Sequence, residues 1–155
     1  MNIESKNYQF PSNSPEQTQQ FAERLAKLLG PGDVIALEGD LGAGKTTFTQ
    51  GLAKGLGIKT VVNSPTFTII KEYQGTLPLY HMDVYRVEDE FEELGFDEYF
   101  YGEGITVVEW ASMIRSVLPP VLLEIYIKRA EGDSREIQIA AYGNHFISVC
   151  EELIG

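Results

Sequence analysis

Eight consecutive residues, Gly39 to Thr46, read GDLGAGKT and are the part of the chain best suited to chemistry. Glycines at 39, 42 and 44 let the backbone turn several N–H groups toward one anion, because no Cβ atom obstructs the wrap. A helix should begin directly after them, and its N-terminus adds positive potential. The pattern is that of a phosphate-binding loop (P-loop), and it predicts a site for a nucleoside triphosphate with magnesium.

The polar side chains at the end of this loop have separate expected roles. Lys45 should reach the β- and γ-phosphates, and the Thr46 hydroxyl should be a magnesium ligand. Thr47 is placed to contact the α-phosphate. The loop residues expected to bind the nucleotide are Gly39, Asp40, Leu41, Gly42, Ala43, Gly44, Lys45, Thr46 and Thr47.

Two carboxylates that follow apolar runs are candidates for the metal and for the attacking water. Glu109 follows the apolar run 105–108, and Asp83 follows the less uniformly apolar run 79–82. An acid at the end of a neighbouring strand can hold the magnesium hydration shell or polarise water. We expect Glu109 to serve the metal with Thr46, and Asp83 to face water or metal. Lys45, Asp83 and Glu109 are then the predicted catalytic residues, and the alternative for each acid is a surface carboxylate at a strand end.

Three further side chains have two interpretations each. His81 inside a strand is more often a hydrogen-bonded core residue than a catalyst, and nothing near it in the sequence suggests a transition-metal site. Trp110 either packs in the core or closes the nucleotide site by stacking on the base. Arg86 is either an arginine finger or a salt-bridge partner of the acidic residues that begin at Glu88, and we favour the salt bridge.

The loop needs a strand before it and a helix after it, and the flanking sequence supplies both. The apolar run 34–37 predicts a buried strand. Apolar residues at helical spacing predict a helix over 45–56. Gly51 and Gly55 lie inside this segment, where glycine disfavours a helix.

The remaining segments complete an α/β pattern. Ser14, Pro15 and Gln17 predict the start of a helix that runs to about Leu29. Two hairpins are expected, at 66–73 with 77–85 and at 122–128 with 135–141, together with a strand at 105–108 and a short C-terminal helix. The predicted fold class is therefore α/β, a P-loop NTPase-like three-layer fold with a mixed central sheet, in a single domain over residues 1–155.

Composition limits the partners. Twelve basic and 23 acidic residues give a net charge of −11, which repels nucleic acid, so a nucleic-acid role should be indirect. No apolar run suits a signal peptide or a membrane span, and the single cysteine, Cys150, fits a reducing compartment, so we expect a cytoplasmic protein. Eight carboxylates and no lysine or arginine lie between Glu88 and Glu103, which indicates either a solvated helix face or a docking face.

Four motifs taken together resemble those of the TsaE family. They are GDLGAGKTT at 39–47, SPTF at 64–67, HMDVYR at 81–86 and VEW at 108–110. The resemblance implies a small bacterial P-loop ATPase, with ATP and Mg²⁺ as cofactors, that is needed for the threonylcarbamoyladenosine modification of tRNA. It also implies TsaD and TsaB as protein partners, with tRNA contacted only indirectly.

The same resemblance assigns roles to single positions. It implies a switch-like loop at 64–67 near the γ-phosphate, Asp83 acting in hydrolysis, Glu109 completing the magnesium site with Thr46, and Trp110 close to the nucleotide.

Two other functions use a P-loop and stay open as alternatives. A small-molecule kinase needs arginines for its acceptor site and lid, whereas the five arginines of this chain form no cluster in the sequence. A GTPase normally reads guanine with a Lys-x-Asp segment, and the chain contains none.

Overall fold

The computed structural model describes residues 3–39, 44–60, 62, 70–84 and 96–154. The elements in these ranges are β1 (Ser5–Ser12), α1 (Pro15–Ala26), β2 (Val34–Gly39), α2 (Lys45–Gly55), β3 (Ile70–Tyr73), β4 (Leu79–Asp83), α3 (Phe96–Phe100), β5 (Ile105–Glu109), a 3-10 helix (Ala111–Val117), β6 (Leu122–Arg129), β7 (Arg135–Tyr142) and α4 (Asn144–Ile154). Several sequence predictions lie outside the described residues. They concern Asp40, Leu41, Gly42, Ala43, the segment 64–67, the strand ends at 66–69 and 85, Arg86, and the acidic residues 88–95.

The described strands form one seven-stranded sheet in the order β1-β7-β6-β2-β5-β4-β3. β2 pairs in parallel with β5 and β6, and β4 pairs in parallel with β5. The pairs β1 with β7, β6 with β7 and β3 with β4 are antiparallel. The predicted mixed sheet is confirmed, and the carboxyl ends of β2, β5 and β4 lie side by side. In open α/β sheets this end carries the ligand site.

Helices cover both faces of the sheet and give the three layers expected from the sequence. Alternate side chains of the central strands point to opposite faces, so each face builds its own apolar cluster. On the first face, α1, α2 and α4 pack with the strands through Phe21, Phe48, Leu52, Phe146, Ile35, Leu37 and Ile125. On the second face, α3 and the 3-10 helix pack through Phe96, Phe100, Ala111, Val34, Met82 and Val108.

The predicted start of α1 is confirmed, with one difference in its cap. The Ser14 hydroxyl accepts a hydrogen bond from the Gln17 N–H at 3.2 Å, as an N-cap residue should. The Gln17 side chain reaches back to the N–H of Asn13, at 2.7 Å, one residue earlier than the usual capping box. The helix ends at Ala26 and not near Leu29.

Strand β1 has no counterpart in the sequence predictions. Its residues are mostly exposed and it contains Pro11, two features that disfavour a strand when only the local sequence is considered. The strand lies at the edge of the sheet and pairs with β7, where a proline is tolerated. The pairing partner is about 130 residues away in the chain, so local pattern could not reveal it.

Helix α2 lies against α1 at a distance that only glycine allows. A Cβ atom added at Gly51 would overlap the carbonyl oxygen of Gln19 and lie 2.8 Å from the Cβ of Ala22. Gly55 meets the next turn of α1 in the same way. The two glycines that disfavour a helix in the sequence are therefore the residues that let α2 pack on its neighbour.

Changing Gly51 to alanine should lower the free energy of unfolding by about 2 kcal/mol. About 3 kcal/mol of overpacking against a rigid backbone exceeds the roughly 1 kcal/mol gained in helix propensity. The matched control is Gly30→Ala, because a Cβ atom there meets nothing within 4 Å. Urea unfolding measures both variants, and equal midpoints for the two would contradict the close packing of α1 and α2.

Two expectations from composition concern Cys150 and membrane spans. Cys150 is fully buried in the first-face cluster, and burial, followed by the charge of Glu151, raises the pKa of its thiol to about 11. Within the described ranges, no helix combines the length and apolar character that a bilayer crossing requires.

Candidate functional site

The two predicted acidic residues lie next to each other at the carboxyl end of the sheet. Asp83, the last residue of β4, is the register partner of Glu109, the last residue of β5. On its other side Glu109 pairs with Leu37 of β2, two residues before the loop sequence begins at Gly39. Because these three strands are parallel, their ends bring both acids beside the segment with the P-loop pattern.

Helix α2 begins where the sequence predicts. Gly44 is its N-cap with a φ of 111°, a left-handed conformation that favours glycine. Lys45, Thr46 and Thr47 form the first turn and are partly buried. The helix N-terminus, with its positive potential, therefore faces the end of the sheet at which the acids lie.

Lys45 is held between an acid and an aromatic ring. Its Nζ lies 3.9 Å from Oε1 of Glu109 and 4.7 Å from the centroid of the Trp110 ring. The Lys45 side chain is only 11% exposed. A lysine ammonium over the face of an indole ring gains a cation–π attraction. The two residues assigned to phosphate and metal are thus in contact, and the tryptophan lies beside them.

Glu109 is a buried carboxylate and not a surface one. The residue is 4% exposed, which rules out the alternative of a surface acid at a strand end. Its Oε2 lies 2.5 Å from Nε2 of His81, and its Oε1 faces Lys45. A buried charge is tolerated when it is paired and hydrogen-bonded, as this one is.

His81 is a buried, hydrogen-bonded residue, as the sequence led us to favour, but its partner was not foreseen. The side chain is fully buried in β4, two residues from Asp83 and therefore on the same face. Its Nε2 contacts Glu109, 28 residues away in the sequence. The alternation in HMDVYR already places the histidine and the aspartate on one face. Only the register of β4 against β5 brings that face to Glu109.

The backbone of Trp110 adopts an unusual conformation beside Glu109. Trp110 has a φ of 61° and is the only non-glycine residue with a positive φ in the part that the structure describes. Such strain is concentrated at functional sites.

Glu38 is a third acid at this site. It accepts a hydrogen bond from the N–H of Ser112 at 3.1 Å. Burial raises the pKa of Glu38, although this hydrogen bond and the charge of Lys45 oppose the shift. Sequence reasoning missed Glu38.

The oxygen donors of the site suit magnesium that is bound together with a nucleotide. Thr46 offers a hydroxyl and Glu109 a carboxylate, and magnesium usually combines one or two such ligands with water and substrate phosphates. Among the residues with described positions, no group of three His, Cys, Asp or Glu side chains converges as a ready metal cage. The chemistry of the donors fits a metal that is bound jointly with phosphate oxygens.

Comparison with known proteins identifies the fold and the family of this chain. The fold is an α/β, P-loop NTPase-like fold, and the crystal structure of Bacillus subtilis YdiB shares it with a TM-score of 0.86. That structure is 53% identical in sequence, and the match covers 97% of this chain and 95% of that one. The family model described as "Threonylcarbamoyl adenosine biosynthesis protein TsaE" matches residues 12–137. The chain belongs to the TsaE family, which confirms the resemblance seen in its motifs.

Several curated relatives carry the name tRNA threonylcarbamoyladenosine biosynthesis protein TsaE, and two of them illustrate the similarity. The protein of Bacillus subtilis (strain 168) is 62% identical over 141 residues, which is 90% of this chain and 89% of that protein. The protein of Treponema pallidum (strain Nichols) is 42% identical over 131 residues, 83% of this chain and 97% of its own length.

Proposed function

We propose that this chain binds ATP with magnesium at the junction of β2 and α2, hydrolyses it, and so supports threonylcarbamoyladenosine modification of tRNA together with TsaB and TsaD. The observation that carries the proposal is the meeting of Lys45, Glu109 and Asp83 at the ends of parallel strands. The names of the relatives support the pathway.

The contact between Lys45 and Glu109 suggests how the site accepts a triphosphate. Lys45 turns from Oε1 of Glu109 to the β- and γ-phosphates, which are stronger partners because they carry more charge. This exchange would leave one oxygen of Glu109 available to the hydration shell of magnesium. Magnesium, when bound, neutralises charge on the phosphates. Asp83, beside Glu109 in register, orients the attacking water.

The acidic character of the chain favours protein partners over direct contact with tRNA. With a net charge of −11, the isolated protein should not bind tRNA at physiological salt, since neutralised phosphates supply most non-specific affinity. Half of the predicted docking face at 88–103, namely 88–95, lies outside the described residues. It stays a prediction.

Reconstitution of the modification tests the proposed function. TsaB, TsaD, tRNA and the carbamoyl-adenylate donor are combined with or without this chain and ATP, and modified tRNA is counted per TsaD. We expect several turnovers only when both the chain and ATP are present. Modification that proceeds equally without the chain would contradict the proposal. Transfer of the γ-phosphate to a small molecule instead of to water would favour the kinase alternative.

A further inference from the structure

The histidine next to Glu109 has a buried position that packing alone does not explain. His81 is fully buried, and its Nε2 is engaged by the carboxylate of Glu109. Its other ring nitrogen, Nδ1, is buried without a hydrogen-bond partner among the described residues. A buried polar atom without a partner destabilises a fold, so an apolar side chain would suit this core position better. The reason for a histidine here must therefore lie with Nε2.

The two oxygens of Glu109 have different surroundings. Oε2 lies at hydrogen-bond distance from His81 Nε2, on the interior side of the site. Oε1 lies 3.9 Å from Lys45 Nζ, on the side of α2. With its proton on Nε2, the imidazole donates to Oε2 and fixes the rotation of the carboxylate. The fixed rotation leaves Oε1 as the oxygen that faces the loop.

We propose that His81 is a positioning residue, which holds Glu109 so that a single carboxylate oxygen is presented to the magnesium–nucleotide complex. The proposal rests on the proposed function, in which Glu109 organises magnesium. Donors that orient a ligating group from behind commonly alter metal affinity by about 10- to 100-fold when they are removed. His81 would act in the same way, one hydrogen bond behind the acid.

A positioning role and a packing role for His81 differ in whether the loss of ATP affinity in a His81 variant depends on magnesium. Calorimetry measures ATP affinity with magnesium and with EDTA for the wild type, His81→Phe and His81→Gln. We expect His81→Phe to weaken the affinity with magnesium roughly 10-fold and to leave the affinity in EDTA unchanged. His81→Gln should recover most of the loss, because the glutamine amide nitrogen can take the place of Nε2 as donor.

A matched control and a second pair of variants guard against a folding defect. Met82→Leu changes the next residue of β4, which faces the other side of the sheet, and should behave as the wild type. If His81→Phe does not fold, His81→Asn replaces it, since the shorter amide cannot reach the Nε2 position. Asparagine should then show the magnesium-specific loss that glutamine avoids.

Three results would overturn the proposal. The first is that His81→Phe, or His81→Asn in its place, gains as much ATP affinity from magnesium as the wild type does. Equal losses with magnesium and with EDTA would make His81 a packing residue only. Equal losses in the glutamine and asparagine variants would show that a donor at the Nε2 position is not what matters. A wild-type protein whose ATP affinity ignores magnesium contradicts the proposed function itself, so the two failures are distinguishable.

Discussion

Replacing Lys45 by methionine should abolish ATP hydrolysis and weaken ATP binding roughly 10- to 100-fold, since a hydrogen bond to a charged group contributes about 1.5–3 kcal/mol. Methionine keeps an apolar stem against the Trp110 ring and removes only the charge. It also removes the cation beside buried Glu109, so the stability of the variant has to be measured as well. Thermal unfolding of the variant supplies that measurement.

The control for this prediction lies in the same helix. Lys54 is exposed and makes only a loose pair with Glu23, at 4.0 Å, so Lys54→Met should change neither binding nor hydrolysis. Calorimetry measures ATP binding in all three proteins. Trp110, the only tryptophan of the chain, can also report binding in the wild type and in Lys54→Met, where Lys45 should leave its ring on turning to the phosphates. Hydrolysis by Lys45→Met at the wild-type rate would contradict the role assigned to Lys45.

Changing the two acids should separate binding from hydrolysis. Glu109→Gln should weaken ATP binding about 10-fold or more in the presence of magnesium, because a neutral amide is a poorer partner for the hydrated metal. Asp83→Asn should leave binding intact and lower the hydrolysis rate by about 100-fold or more, the usual contribution of a group that polarises water.

Calorimetry with and without magnesium and a phosphate-release assay measure the two effects. Asp97→Asn, at an exposed position of α3, is the control for a generic loss of negative charge. The expected signature is a loss confined to affinity in one variant and to rate in the other. If both variants lose affinity and rate together, the two acids share one role, which their adjacent register positions also permit.

Much of the site can be predicted from the sequence because its parts are locally encoded. A buried apolar run, a glycine-rich segment and a helix start are consecutive, and together they predict β2 and α2. Glu109 and Asp83 are the last residues of parallel strands that end at the same side of the sheet. Local pattern therefore finds the residues, although it does not give the distances between them.

The parts that could not be predicted depend on contacts between distant segments. The pairing of His81 with Glu109 needs the register of two strands, and the burial of Glu109 needs the layers on both sides of the sheet. Strand β1 exists because β7 offers it an edge. Gly51 looks like a helix breaker until α1 is placed beside it.

The contact of α2 with α1 through Gly51 also bears on how the protein could respond to its nucleotide. Helices that touch backbone to backbone cannot slide or rotate past each other without overlap, so α2 would be a fixed base for the proposed phosphate site. On the proposed function, a difference between the triphosphate and diphosphate states would then appear on the opposite side of the site. There Lys45 is proposed to exchange partners beside Glu109, and the strained backbone of Trp110 leads into the 3-10 helix. A partner protein that senses the nucleotide state would then contact the side with Glu109 and the 3-10 helix, while α1 and α2 stay in place.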